Sequence, residues 1–150
     1  MTYTDSIATI SASLLTLCQA NQGPLGFEDI YDGDQNLIPR TPSLCVIAGS
    51  KTRQLVGAPM KFHNNFTVYL MIYHAEVRDE QKNYRDSMTL SEALETILND
   101  RSNRSLSQQL IESWITAVEP GYTTKGNSLL RTTRMTWEGF NETFLNTPTA

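Results

Sequence analysis

The residues able to do chemistry in this chain are few. Its histidines are His63 and His74, and imidazoles are the side chains suited to act as bases or metal ligands near neutral pH. His74-Ala75-Glu76 matches the opening of a zinc-deaminase signature, but the Pro-Cys-x-x-Cys that supplies the remaining ligands is absent. The histidines are not four residues apart, so the helical zinc-protease arrangement is missing as well. No serine nucleophile elbow, phosphate-cradling glycine loop or dinucleotide fingerprint occurs. Asp32-Gly33-Asp34-Gln35-Asn36 begins like a calcium loop, with oxygen donors at alternate positions. It then fails, because Leu37 takes the obligatory glycine position and Ser43 stands where a bidentate Glu closes the site. Glu28, Asp29, Asp32 and Asp34 form a cluster of carboxylates in a segment expected to be an open loop. Carboxylates so exposed keep ordinary pKa values, which suits general acid–base work poorly. The expectation is a protein with no catalytic residue, no cofactor and no metal ligand. It is not read as an enzyme.

The bulk numbers fit that expectation. With 150 residues, 39% hydrophobic and 19% charged, the chain has ordinary globular composition and the length of one domain. Its net charge is −4, and no basic cluster exists to displace counterions from a nucleic-acid backbone. The 28–34 run carries no basic residue, so the rest of the chain is nearly balanced. Cys18 and Cys45 both lie in apolar patterns and read as small buried hydrophobes, with no disulfide implied. The N-terminus carries Asp5 and no basic stretch, unlike a signal peptide. The longest apolar run, Val68 to Tyr73, is far shorter than the ~20 residues a membrane-spanning helix needs. Synthesis in the cytoplasm and no membrane partner are expected, and the sequons at Asn65, Asn103 and Asn141 then carry no modification.

The elements that must position these residues follow from periodicity. Ile7, Ile10, Leu14 and Leu17 mark a helix over 5–19, capped by Thr4 or Asp5 and stopped by Gly23-Pro24. Residues 20–42, rich in Gly and Pro, predict a long loop with at most a short strand. Leu44 to Ile47 predicts a buried strand closed by Gly49, and Arg53 to Val56 a second short one. Phe66 to Ala75 is the strongest strand, with Phe66, Val68, Leu70 and Ile72 on one face and Thr67, Tyr69, Met71 and Tyr73 on the other. Thr89-Leu90-Ser91-Glu92 has the form of a capping box opening a helix to about Asn99, and the charged stretch 78–86 is either extra helical turns or a solvated loop. Leu110 to Val118, ended by a Pro120-Gly121 turn, and Leu129 to Trp137 complete the strands. Residues 1–4 and 138–150 are expected to be flexible. The fold class is α+β: a mostly antiparallel sheet of four or five strands with two main helices on one face.

Both faces of the central strand are apolar, so something must cover the second one: the other helix, or a neighbouring subunit. The last strand adds Arg131, Arg134 and Trp137, types enriched where proteins meet. Tyr69, Met71, Tyr73, Arg131, Arg134 and Trp137 are therefore the interface candidates.

At this point the chain resembles a family. Ile38-Pro39-Arg40-Thr41-Pro42-Ser43-Leu44-Cys45-Val46-Ile47-Ala48-Gly49-Ser50-Lys51 is similar to the first strand region of tailed-phage tail terminators and related neck proteins. A Gly57-Ala58-Pro59 turn follows, then an Asn64-Asn65 entry into a strand ending Ile72-Tyr73-His74. Val118-Glu119-Pro120-Gly121-Tyr122 and Leu130-Arg131-Thr132-Thr133-Arg134 continue the likeness, which spans roughly 38–137. The resemblance implies a structural virion protein: a ring subunit, usually hexameric, that caps the tail tube and joins it to the head connector. Its implied partners are itself and the tube and connector proteins, with DNA only passing through. Glu28, Asp29, Asp32 and Asp34 would then suit the wall of a DNA conduit, where negative charge prevents sticking. Another neck component, such as a head-closure or tail-completion protein, is the alternative within this class. A small-molecule-binding or hydrolytic domain is the alternative outside it. Clustering of His63, His74 and the 28–34 carboxylates would favour the latter, and a flat apolar surface lined by strands the ring.

Overall fold

In the computed structural model, residues 3–57, 60–77 and 80–144 are described, with backbone alone over 80–84. In chain order the elements are α1 (Ile7–Ala20), α2 (Gln22–Leu25), β1 (Asp29–Asp32), β2 (Ser43–Gly57), β3 (Lys61–Glu76), α3 (Glu80–Asn99), β4 (Glu112–Lys125) and β5 (Ser128–Phe144). The strands form one five-stranded sheet in the order β1-β2-β3-β5-β4. Every pairing is antiparallel except β1 with β2. The fold is thus α+β with a mixed sheet, and α2 is a third, one-turn helix beside the two main ones.

One face of the sheet holds the core. Leu44 and Val46 of β2, Phe66 to Ile72 at alternate positions of β3, and Met135 and Trp137 of β5 pack against Ile10, Leu14 and Cys18 of α1 and Leu94 and Leu98 of α3. These side chains are buried almost completely, as period-2 and period-3.6 patterns require when both elements share one interior.

Several boundaries differ from the sequence expectation. The first helix starts at Ile7, because the Ser6 hydroxyl, rather than Thr4 or Asp5, accepts the Thr9 amide. Gly23-Pro24 does not end helical structure at once but lies within α2, which Gly26 terminates in a left-handed conformation. The two short strands expected around Gly49 are one continuous strand. Gly49 is the extra residue of a β-bulge between Ala48 and Ser50, where a Cβ would sit 2.7 Å from the Thr67 carbonyl oxygen and 2.8 Å from the Tyr69 ring. The capping-box residues lie inside α3, where Ser91 Oγ donates to the Ser87 carbonyl at 2.8 Å instead of capping. The stretch 80–86 is helical accordingly, while 78–79 lie outside the described residues.

Pro120-Gly121 forms no turn. It sits within β4, an edge strand, where a missing N–H is tolerated. Residues 138–144 do not fray, because they continue β5 against β3. Thr4 is likewise held: Asn141 Nδ2 donates to its carbonyl at 2.7 Å. Ala58-Pro59 of the Gly-x-Pro turn, residues 1–2 and the tail 145–150 lie outside the described residues.

Candidate interaction surface

Both main helices sit on the same side, so neither covers Thr67, Tyr69, Met71 and Tyr73. One end of that second face is closed by the segment after β1. Tyr73, Cys45 and Leu130 form a small second cluster there, with Tyr31, Ile38, Ile47 and Met71 packed around it. The Tyr73 hydroxyl donates to Asp34 Oδ1 at 2.8 Å, and Lys125 Nζ reaches Asp34 Oδ2 at 3.0 Å. Asp34 thereby straps the 33–42 segment to the sheet. Partial burial works to raise its pKa, but the bonds from Tyr73 and Lys125 outweigh that and hold it below the usual carboxylate range. Burial and the bond to Asp34 push the Tyr73 phenol up.

Beyond this cluster the face is open, with Met71 at the boundary between the two. Tyr69 and Met71 on β3 are half-buried, and Arg134 on β5 is exposed. In register, Met71 faces Arg134 and Tyr69 faces Thr136. The Arg134 guanidinium lies over the Tyr69 ring, whose edge in turn lies close over Gly49. Further along, His63 stacks on Phe140 with centroids 5.1 Å apart, and Trp114 meets Phe140 edge-on. The result is a strand-lined surface of aromatic, methionine and arginine side chains.

The interface candidates divide accordingly. Tyr69, Met71 and Arg134 lie on this surface. Tyr73 and Trp137 are only 1% exposed: the first is covered by the strap, and the second is core, because its face of β5 is the helix side. Arg131 is also on the helix side and is 8% exposed, with its guanidinium over the Tyr122 ring.

The acidic candidates are not an open loop. Asp29 is in β1 and accepts a 2.6 Å hydrogen bond from Arg40 Nη2. That bond holds its carboxyl below the usual range. With Asp34 also engaged, both pKa values depart from the ordinary carboxylate expectation. Glu28 and Asp32 remain exposed.

The histidines are far apart in role. His63 belongs to the open face, while His74 is buried on the helix side at a bulge between Tyr73 and Ala75. His74 Nε2 is 2.7 Å from Thr133 Oγ1 and 3.5 Å from Ser91 Oγ, linking β3, β5 and α3. Burial, aided by the positive charge of Arg131, pushes its pKa down to about 4. Ser91, Thr133 and Arg131 also border a cavity of about 270 Å³ between α3 and β4, with Met88, Glu92, Glu95, Val118 and Tyr122 on its rim. Sequence reasoning missed this cavity and the polar network beside it. Their residues come from three distant segments, and the only local hint was the placement of Ser87 and Ser91 one turn apart.

His63, His74 and the 28–34 carboxylates do not come together. No group of His, Cys, Asp and Glu among the described residues has metal-binding geometry. No helix is long and apolar enough to cross a membrane among those residues. No protein-family model matches the chain, and no curated protein matches it.

Proposed function

We propose that this chain is a structural virion protein of a tailed phage, a ring subunit that terminates the tail tube and joins it to the head connector. The observation that carries the reading is the open sheet face, where Tyr69, Met71 and Arg134 stand uncovered by either helix. Two chain segments already cover what a monomer needs covered: the helices on one side and the strap around Tyr73 on the other. What is left has interface composition, with aromatic, Met and Arg side chains on a rigid sheet. The family named in this reading rests on the resemblance in motif order across residues 38–137. Partners are further copies of the chain and the tube and connector proteins, with DNA passing through a ring whose acidic lining rests on Asp32 and on Glu28, which lies 3.7 Å from the Arg40 guanidinium. The site of action is the virion, after synthesis in the host cytoplasm.

Another neck component, a head-closure or tail-completion protein, would use the same surface. The hydrolytic alternative has the contact of His74 with Thr133 in its favour. Against it, no carboxylate orients the other ring nitrogen among the described residues. The test is native mass measurement of the purified protein, alone and with tail tubes, beside complementation of a phage lacking the gene. A closed oligomer (six copies of the 16.9 kDa chain by the family pattern) that restores tails of correct length supports the reading. A strict monomer at high concentration, with tubes present, overturns it.

A further inference from the structure

The strand order leaves the sheet with edges of unlike character. On one side β4 has no outer neighbour. On the other, β1 pairs with β2 only from Ser43 to Val46, so β2 from Ile47 to Gly57 is an edge too. An unpaired edge is a template for another strand. We propose that the distal β2 edge of one copy docks beside β4 of the next, making a head-to-tail contact between two copies of this chain. This deepens the ring reading and rests on it.

Charge supports the pairing. From Ser43 to Gly57, β2 carries Lys51 and Arg53 and no carboxylate. Arg53 already meets Asp5, but Lys51 meets only the Asp5 carbonyl oxygen among the described residues. The receiving side presents Glu92 and Glu95 on α3 at the cavity rim. Apolar surface matches as well. Leu55 and Val56 are 58% and 47% exposed on the donor, and Met88, Val118 and Tyr122 are 46%, 39% and 59% exposed on the receiver.

The faces also agree. Lys51, Arg53 and Leu55 stand opposite Phe66, Asn64 and Phe62, which places them on the helix side of the sheet. Val118 and Tyr122 stand opposite Met135 and Arg131, on the same side. A sheet continued from one copy into the next keeps its helix sides together. Leu55 then arrives over the 270 Å³ cavity, and Lys51 arrives beside Glu92 and Glu95. β2 and β4 run in opposite directions, so the new pair is antiparallel: with Leu55 beside Val118, Lys51 falls level with Tyr122, and Pro120 withholds one N–H from the ladder. Because donor and receiver are different surfaces, the contact is heterologous, and its repetition makes a ring when the rotation between copies closes and a filament when it does not.

The test uses Leu55→Asp and Val118→Asp in the full chain, with circular dichroism to establish folding. Each variant alone should be monomeric in native mass spectrometry, because each lacks one half of the contact. Mixed, they should form one-to-one heterodimers and stop, since one intact donor and one intact receiver remain. Lys51→Glu should weaken assembly at least tenfold, and Glu92→Lys added to it should restore most of the loss. Should an aspartate variant unfold, Leu55→Cys with Val118→Cys under mild oxidation should give a covalent ladder ending at the closed ring; no ladder overturns the contact. Assembly of both aspartate variants like the wild type would overturn this contact and leave the ring standing. A mixture that stays monomeric would do the same. A wild type that never assembles would remove the ring and this contact together.

Discussion

The Arg134 guanidinium lies 4.1 Å from the centroid of the Tyr69 ring, across neighbouring strands on the sheet face that no helix covers. At an exposed site such a cation–π contact contributes only ~0.5–1 kcal/mol to folding. In the association proposed above, the same contact would hold the arginine flat, so that little side-chain freedom would be lost on meeting a partner's carboxylate.

Arg134→Glu should therefore leave the fold stable to within about 1 kcal/mol while weakening association by ~2–5 kcal/mol. Arg131→Glu should behave oppositely. It places a carboxylate where a buried cation stood, and should cost more than ~2 kcal/mol of folding stability. Urea unfolding beside size-exclusion chromatography separates the two. Equal effects on folding would show that the two sheet faces are not distinct in role.

His74 makes stability depend on pH. Its folded pKa of about 4 lies below the 6.5 of an unperturbed imidazole, so the folded state favours the neutral ring. The stabilisation is complete above pH 6.5 and is lost as pH falls toward 4. The shift corresponds to roughly 3 kcal/mol. His74→Gln should flatten that limb of the stability curve. Unfolding midpoints measured from pH 7 to 4 check it, and an unchanged slope in the variant would refute the assignment.

Gly49→Ala should destabilise by ~1–3 kcal/mol, because the new methyl meets the Thr67 backbone carbonyl, which cannot move aside as a flexible side chain can. The same change should displace Tyr69 and reduce assembly beyond what the folding loss explains. Thermal melts beside light scattering test both parts.

Asp34 is committed to Tyr73 and Lys125, so its oxygens are poorly placed to serve a cation. Millimolar calcium should leave the melting temperature unchanged. Asp34→Ala should cost ~1–3 kcal/mol and speed hydrogen exchange across residues 33–42. A rise of several degrees with calcium, absent in Asp34→Ala, would reverse this conclusion.

The apolar periods of Ile10 and Leu14, and of Phe66 to Ile72, were enough to read an α+β class, but both faces of β3 are apolar in sequence, so the face that the helices cover was not legible. The alternation of β5 was also legible, but which of its faces turned inward was not. Arg131 and Trp137 share a face with Met135, and only the position of the helices decides that this face is interior. Pro120-Gly121 misled for a related reason. The pair marks a turn in most contexts, and its tolerance here depends on β4 having no outer neighbour, a property of the whole sheet. The carboxylates of 28–34 looked unpartnered because Arg40, Tyr73 and Lys125 approach them through space from 11, 39 and 91 residues away in sequence.

β3 and β5 are paired along almost their entire lengths, from Lys61 with Phe144 to Glu76 with Leu130. With ~3.3 Å of rise per residue this is a double girder about 50 Å long. Its cross-links lie perpendicular to the strands. A pull along the girder loads all of them in parallel and must shear them together, whereas a pull across it opens them one at a time. The subunit therefore has a stiff axis and a soft one. In a ring made by continuing the sheet from copy to copy, as proposed above, the stiff axis would lie across the line joining neighbouring subunits, and the contacts between copies would lie along the soft one.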